Sequence, residues 1–173
     1  MTRPPAFQET IAPPPLAWAV LAGLLLLPIG FMSAVLARDP RAASVLVPAM
    51  VFVLALVAVL VWPCRLRLDS RGLHLRHGLF RHTVAAADLD PSRWRRIDLD
   101  HEREARPLLR TMGTGLPRFR GGWYRLRDRR RAFVLLNRWA PAWIYEPATG
   151  PVVLVTPARG QALVEAIRTL GRG

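Results

Sequence analysis

Two uncharged apolar runs, Leu16 to Ala37 and Ala42 to Trp62, stand side by side near the N-terminus, separated only by Arg38-Asp39-Pro40-Arg41. With 22 and 21 residues, each reaches roughly 30 Å as a helix, the thickness of a bilayer's hydrocarbon core. A chain built this way predicts a two-helix transmembrane hairpin over 16–62, preceded by a short tail, 1–15, and followed by one small domain, 63–173. The alternative for the first run is a cleaved signal peptide, with Val35-Leu36-Ala37 as the small-residue site. Against it, the preceding stretch carries only Arg3, offset by Glu9, is rich in Pro, and leads into a run longer than a usual signal core.

Arginine placement predicts the orientation. Arg65, Arg67, Arg71 and Arg76 follow the second run closely, whereas the inter-helix turn holds two Arg and one Asp. The positive-inside rule then puts the C-terminal domain, and with it the N-terminus, on the cytoplasmic side of the cell membrane. Trp18 and Trp62 fall where aromatic anchors sit at the interface. Neither run contains an ionisable residue, so the spans offer no ion or proton pathway.

Charge is concentrated beyond the spans. The formal net charge is +13, there is no Lys, and of the 25 basic residues only Arg3, Arg38 and Arg41 precede Cys64, leaving 22. Codons rich in G and C explain Arg in place of Lys, alongside abundant Ala, Pro and Gly. The positive field acts physically whatever its origin. The single cysteine, Cys64, excludes an internal disulfide and a cysteine zinc cage.

After Cys64 the pattern turns to period two. Arg65–Asp69 and Leu73–Arg76 predict a hairpin about Ser70-Arg71-Gly72, with Leu79–Val84 as a third strand and Trp94–Glu102 as another. Ala105 to Gly122 lacks periodicity and predicts a long excursion. Trp123–Arg127 with Ala132–Leu136, then Ala142–Pro147 and Val152–Val155, bring the total to about seven antiparallel strands. Thr156 as N-cap, Pro157 at the first helical position, the stripe Leu163, Val164, Ile167, Leu170 and the stop at Gly171 predict a C-terminal helix capping an open end of the sheet. The fold class is therefore α+β and mainly β.

Gly113-Thr114-Gly115-Leu116-Pro117, followed by Gly122-Trp123-Tyr124-Arg125-Leu126-Arg127-Asp128, resembles the bacterial pleckstrin-homology (PH) domain membrane proteins. That resemblance covers most of 65–170 and implies a PH-like barrel, a membrane-associated role, no enzyme activity and no catalytic residues to carry over. The chain departs from the family pattern at Arg118-Phe119-Arg120, where Gly usually follows the Pro, and at Arg129, where the hairpin turn usually has Gly.

Candidate chemistry is sparse. His74 and His77 would point to opposite faces of a strand, which with His82 argues against a metal site. Asp98, Asp100, Glu102 and Glu104 at spacing two would line one strand face and pair with arginines such as Arg125 and Arg127. Gly113-Thr114-Gly115 reads as loop geometry rather than a phosphate nest. No nucleophile has a visible base, and no cofactor motif is present.

The residues with most to offer are Arg125, Arg127, Arg129, Arg130 and Arg131 on one hairpin, with Arg118 and Arg120 before it and Arg65 and Arg67 beside the second span. They predict contact with anionic lipid or an acidic protein surface, at roughly 1 kcal/mol per residue near headgroups. The expected role is a non-catalytic PH-like module that scaffolds another membrane or cytoplasmic protein, with self-association open. An accessory subunit of a transporter or membrane enzyme is the alternative. Nucleic-acid binding, through Arg interleaved with Trp94, Trp123, Tyr124, Trp139 and Trp143, ranks below both.

Overall fold

A computed structural model of the chain describes residues 5–39, 41, 43–60 and 63–171. Its first element is not a helix. Phe7–Ile11 forms strand β1 within the stretch expected as a tail, and Phe7 and Ile11 are buried. Helix α1 follows at Pro15–Arg38, then α2 at Ala43–Leu60. At 24 residues, α1 reaches about 36 Å and is long and apolar enough to cross a membrane. At 18 residues, α2 is about 27 Å long. The described residues thus give one helix of full spanning length near the N-terminus where the sequence predicts two, with a shorter apolar helix after it. Trp62 lies outside the described residues; Trp18 is half-exposed on the first turns of α1.

Nine further strands follow: β2 Cys64–Asp69, β3 Gly72–His77, β4 Phe80–Ala85, β5 Trp94–Ile97, β6 Pro107–Leu116, β7 Phe119–Leu126, β8 Arg131–Leu136, β9 Ala142–Tyr145 and β10 Val152–Val155. Helix α3, Gly160–Leu170, closes the chain. They form two sheets, β1-β2-β3-β4 and β5-β9-β10-β8-β7-β6, antiparallel except for the parallel pair β8–β10. The expected closed barrel is not found, since β5 and β6 remain as separate edges of the second sheet.

The first sheet alternates cleanly because only one face is buried: Leu66, Leu68, Leu73 and Leu75 point inward, while Arg65, Arg67 and Arg76 point out. Its inner face packs on Phe119, Phe133, Leu135, Tyr145, Val153 and Val155 of the second sheet, joined by Leu163, Val164 and Ile167 of α3 and by Ala17 of α1. The second sheet is covered on both faces. Ile97, Leu99, Tyr124, Leu126, Val134, Leu136, Ile144 and Leu154 make a separate core on its other side. That double burial is why β8, β9 and β10 read as unbroken apolar runs.

Three further expectations are corrected. The excursion over Ala105–Gly122 is mostly strand: β6 and β7 pair from Pro107↔Leu126 to Leu116↔Phe119, with register shifts between Pro107 and Leu109 and between Arg110 and Met112 that erase period two. Gly113 and Gly122 face each other there, both at positive φ, and a Cβ on Gly113 would lie 2.1 Å from the Gly121 carbonyl oxygen. The strand expected over Trp94–Glu102 ends at Ile97, so the four carboxylates do not share a face. Asp98 pairs with His101, Asp100 with Arg106 and Glu102 with Arg95, rather than with Arg125 or Arg127.

Thr156 does not cap α3. Its hydroxyl accepts from the Asn137 N–H at 3.0 Å and donates to Asn137 Oδ1 at 2.9 Å, and the helix begins at Gly160. Glu9 of β1 serves that helix end instead, its carboxylate accepting from the backbone N–H groups of Ala158 and Arg159. A negative charge there meets the positive end of the helix dipole.

Candidate basic surfaces

Register lines up arginines that the sequence holds apart. Arg65 pairs with Arg76 and Arg76 with Arg81, so three guanidinium side chains form one row across the exposed face of β2, β3 and β4. Like charges in direct cross-strand register repel, by about 0.2–1 kcal/mol a pair. Arg67 sits in the next row, opposite His74, and reaches Asp69 at 3.6 Å. The row lies one residue in from the end of the sheet where Ile11 pairs with Cys64 and Cys64 with His77. The β3–β4 turn at Gly78-Leu79 closes that same end and leaves Leu79 76% exposed. Arg76 and Arg81 belong with Arg65, and mirroring residues about the Ser70-Arg71 and Gly78-Leu79 turns would have found them.

Both chain passages to the helices leave from this end: Ile11 is four residues before α1 starts at Pro15, and Cys64 is four after α2 ends at Leu60. The second sheet is oriented by its contacts with the first. His77 meets the Phe119 ring at 5.7 Å, and His82, deeper in the sheet, meets Trp123 at 5.2 Å. Strand β7 therefore begins at the helix-bearing end and runs away from it. Asn137, just past β8, confirms the direction by donating its side-chain amide to the Ala12 carbonyl at 3.4 Å.

This direction separates the predicted arginines into two groups. Arg118 and Arg120 lie at the helix-bearing end, while Arg125, Arg127, Arg129, Arg130 and Arg131 cluster at the opposite end of β7 and β8. Arg130 is neutralised by Asp128 at 2.6 Å and Glu146 at 3.2 Å, and Arg131 lies over the Trp123 ring at 5.5 Å. Arg125, Arg127 and Arg129 are exposed.

Arg110, Arg118 and Arg120 line a groove of about 550 Å³ together with Leu108, Leu116, Tyr124 and Trp139, which runs along the β6–β7 hairpin from the helix-bearing end toward Arg110, the register partner of Tyr124. The Pro117-Arg118 turn supplies its lip. Arg118 has φ 59°, so a non-glycine residue holds the left-handed conformation there, as Arg129 does at φ 69° in the other hairpin. Glycine adopts this conformation most readily, so both turns hold an arginine where a residue without Cβ would be relaxed. Arg120 is half-buried, stacks over Trp139 at 4.6 Å and donates to the Pro107 carbonyl. Burial, aided by the nearby Arg106 charge, lowers its pKa from the ordinary value. Burial also pushes the Tyr124 phenol up to about 12, and its hydroxyl donates to the Thr114 carbonyl at 2.6 Å. Among the described residues, carboxylates lie within 4 Å of Arg67, Arg93, Arg95, Arg106, Arg130, Arg159 and Arg168, and of none of Arg110, Arg118, Arg120 or Arg138.

The histidines do not converge. His77 is buried beside Cys64, with Nδ1 3.2 Å from the thiol; His74 contacts Asp69 and Thr83 on the outer face; His82 lies between the Trp123 and Phe133 rings. No group of three or more potential metal ligands occurs among the described residues. Burial raises the Cys64 thiol pKa far above its ordinary value, which keeps it protonated and unreactive.

Comparison of the chain with family models, with curated proteins and with solved structures finds no match in any of the three.

Proposed function

We propose that the chain is a membrane-anchored, non-catalytic docking module at the cytoplasmic face of the cell membrane, the role implied by its resemblance to bacterial PH-domain proteins. One observation carries the reading: Ile11 and Cys64 are register partners in β1 and β2, and they bracket both apolar helices. Two residues hydrogen-bonded in one sheet stand on the same side of a bilayer. If α1 crosses, α2 must cross back, which favours the two-pass arrangement although α2 is the shorter helix. A tilted partner or local thinning accommodates such a mismatch at a fraction of a kcal/mol per Å.

In this arrangement the end carrying Leu79 and the Arg65–Arg76–Arg81 row faces the lipid. Anionic headgroups offset the repulsion within the row, and Leu79 enters the interface. The Arg125–Arg131 hairpin points away from the bilayer and is free for a protein partner with an acidic surface. An accessory-subunit role is a special case of this one, with the partner embedded in the same membrane.

Topology is tested in a Cys64→Ala background with single cysteines at Arg41 and Arg129. A membrane-impermeant maleimide should label position 41 on intact cells and position 129 only after lysis, and the protein should stay in the membrane through alkaline extraction. Labelling of both positions, or neither, on intact cells overturns the two-pass reading.

A further inference from the structure

We propose that an extended, acidic segment of a partner protein adds to the free edge of β4 as a fifth strand of the four-stranded sheet, resting its apolar side chains on Leu109, Met112 and Trp123. This deepens the docking role proposed above by giving the partner a form and a chemistry, and its exclusion of a second copy rests on the membrane reading.

The edge comes first. Strand β4 borders its sheet, with β3 on one side and no strand on the other among the described residues. The turn between His77 and Phe80 holds two residues, so that flanking pair is hydrogen-bonded, and alternation commits Phe80, His82 and Val84 to β3. The backbone N–H and C=O groups of Arg81 and Thr83 therefore face outward.

Beside the edge lies an apolar shelf. Contacts between the sheets move from β8 at Ala12, bonded to Asn137, to β7 at His77, against Phe119. From β1 to β4 the first sheet thus advances toward β6, and the position beyond β4 lies over β6. There Leu109 and Met112 pair with Arg125 and Trp123, on the face that Trp123 turns toward His82 at 5.2 Å. The register shift between Arg110 and Met112 is what brings Leu109 and Met112 onto one face. Leu109 is 59% and Met112 60% exposed, and Trp123 is half-buried. An open strand edge beside such a face suits strand addition, in which main-chain bonds give affinity and alternate side chains give selectivity.

Charge and orientation choose the occupant. Strands β4, β6, β7 and β8 frame the site with Arg81, Arg110, Arg120, Arg125 and Arg131, and contain no Asp or Glu. Arg125 sits opposite Leu109, and Arg131 covers the Trp123 ring. Unpaired arginines occur across the whole domain, so they set the sign of the partner, while the edge and the shelf set its place. A second copy of this chain does not fit. Strand β4 starts at the helix-bearing end, after the Gly78-Leu79 turn, so copies set in one bilayer run their β4 strands the same way. A twofold dimer joined edge to edge pairs its strands antiparallel and would turn one copy upside down.

The test uses the full chain in nanodiscs and a fluorescein-labelled peptide of alternating Val and Glu, read by anisotropy. Saturable binding by the parent chain is expected. Met112→Glu puts a carboxylate on the shelf, and Thr83→Pro removes an outward N–H while leaving the β3 ladder intact. Each should weaken binding about tenfold. Met112 is a surface residue, so loss in that variant is not loss of fold. Leu108→Glu, on the face of β6 that lines the arginine groove, should leave binding unchanged. The same peptide N-methylated throughout keeps its side chains but cannot donate to a ladder, and should not bind. Equal binding of the methylated peptide, unchanged binding in Met112→Glu and Thr83→Pro, or no saturable binding by the parent overturns the proposal. A disulfide between copies carrying Thr83→Cys in the Cys64→Ala background makes the occupant a second copy, and overturns both the partner and the shared orientation. A chain that binds the peptide in detergent but stays out of nanodiscs loses the membrane reading and keeps the site.

Discussion

His82 stands between two aromatic rings, Trp123 at 5.2 Å and Phe133 at 5.7 Å, and burial lowers its pKa from the ordinary 6.5. The unfolded chain therefore takes up a proton that the folded one refuses. Stability from this residue is complete above pH 6.5 and is lost as the pH falls through that value toward the depressed one. The melting temperature of the detergent-solubilised protein should drop on acidification across this window, and His82→Gln should flatten that part of the profile. Equal profiles for the two proteins would remove His82 as the cause. At this scale the sequence was informative about residue type and silent about surroundings. That His74 and His77 point to opposite faces follows from alternation alone. That His82 meets Trp123 and Phe133 depends on two sheets stacking, which no local pattern encodes.

Among the elements, α3 shows how a local signal misleads. Thr156-Pro157 has the composition of a helix start, yet the Thr156 hydroxyl is engaged by Asn137, and Glu9 accepts the helix-end N–H groups from across the chain. Glu9→Ala should lower the unfolding free energy by about 1–2 kcal/mol, with Glu9→Gln losing less. Urea titration followed by far-UV circular dichroism measures both, and no difference from the parent chain would show that Glu9 does not support that helix end. Strands were legible where one face only is buried: Leu66, Leu68, Leu73 and Leu75 gave β2 and β3 almost to the residue. Strand β6 was hidden because two register shifts break its alternation and Gly113 and Gly115 read as loop. Strand β1 was hidden because five residues with two buried positions are too short a signal when their partner lies 53 positions on, at Ile11↔Cys64.

For the whole molecule, the apolar runs predicted a two-span hairpin, of which the described residues give one helix of spanning length and a shorter apolar one, and the arginine count predicted a basic domain, but which arginines share a surface needed the direction of β7. The Arg125–Arg131 cluster stands out in the sequence, while the groove is assembled from Arg110, Arg118 and Arg120 only when β6 and β7 fold back on each other. The bond between β1 and β2 also predicts a behaviour of the intact protein. With a protease site inserted after Asp39 and cut in detergent, the two fragments should remain together on gel filtration, held by that strand pair and by Glu9 at α3. Separation without denaturant would show that the helices alone join the halves.

Because β1 is made first and its partner only after both apolar helices, the hydrogen bonds of Ile11 and its neighbours wait until 53 more residues have left the ribosome. At 5–20 residues per second that is about 3–10 s, during which Phe7–Ile11 has no strand to pair with. On the two-pass reading proposed above, insertion of the helical pair would return Cys64 to it and shorten the loop the chain must close. Under that proposal the first sheet zips only after both helices have entered the lipid, and a copy stalled halfway through insertion leaves its water-exposed half unfinished.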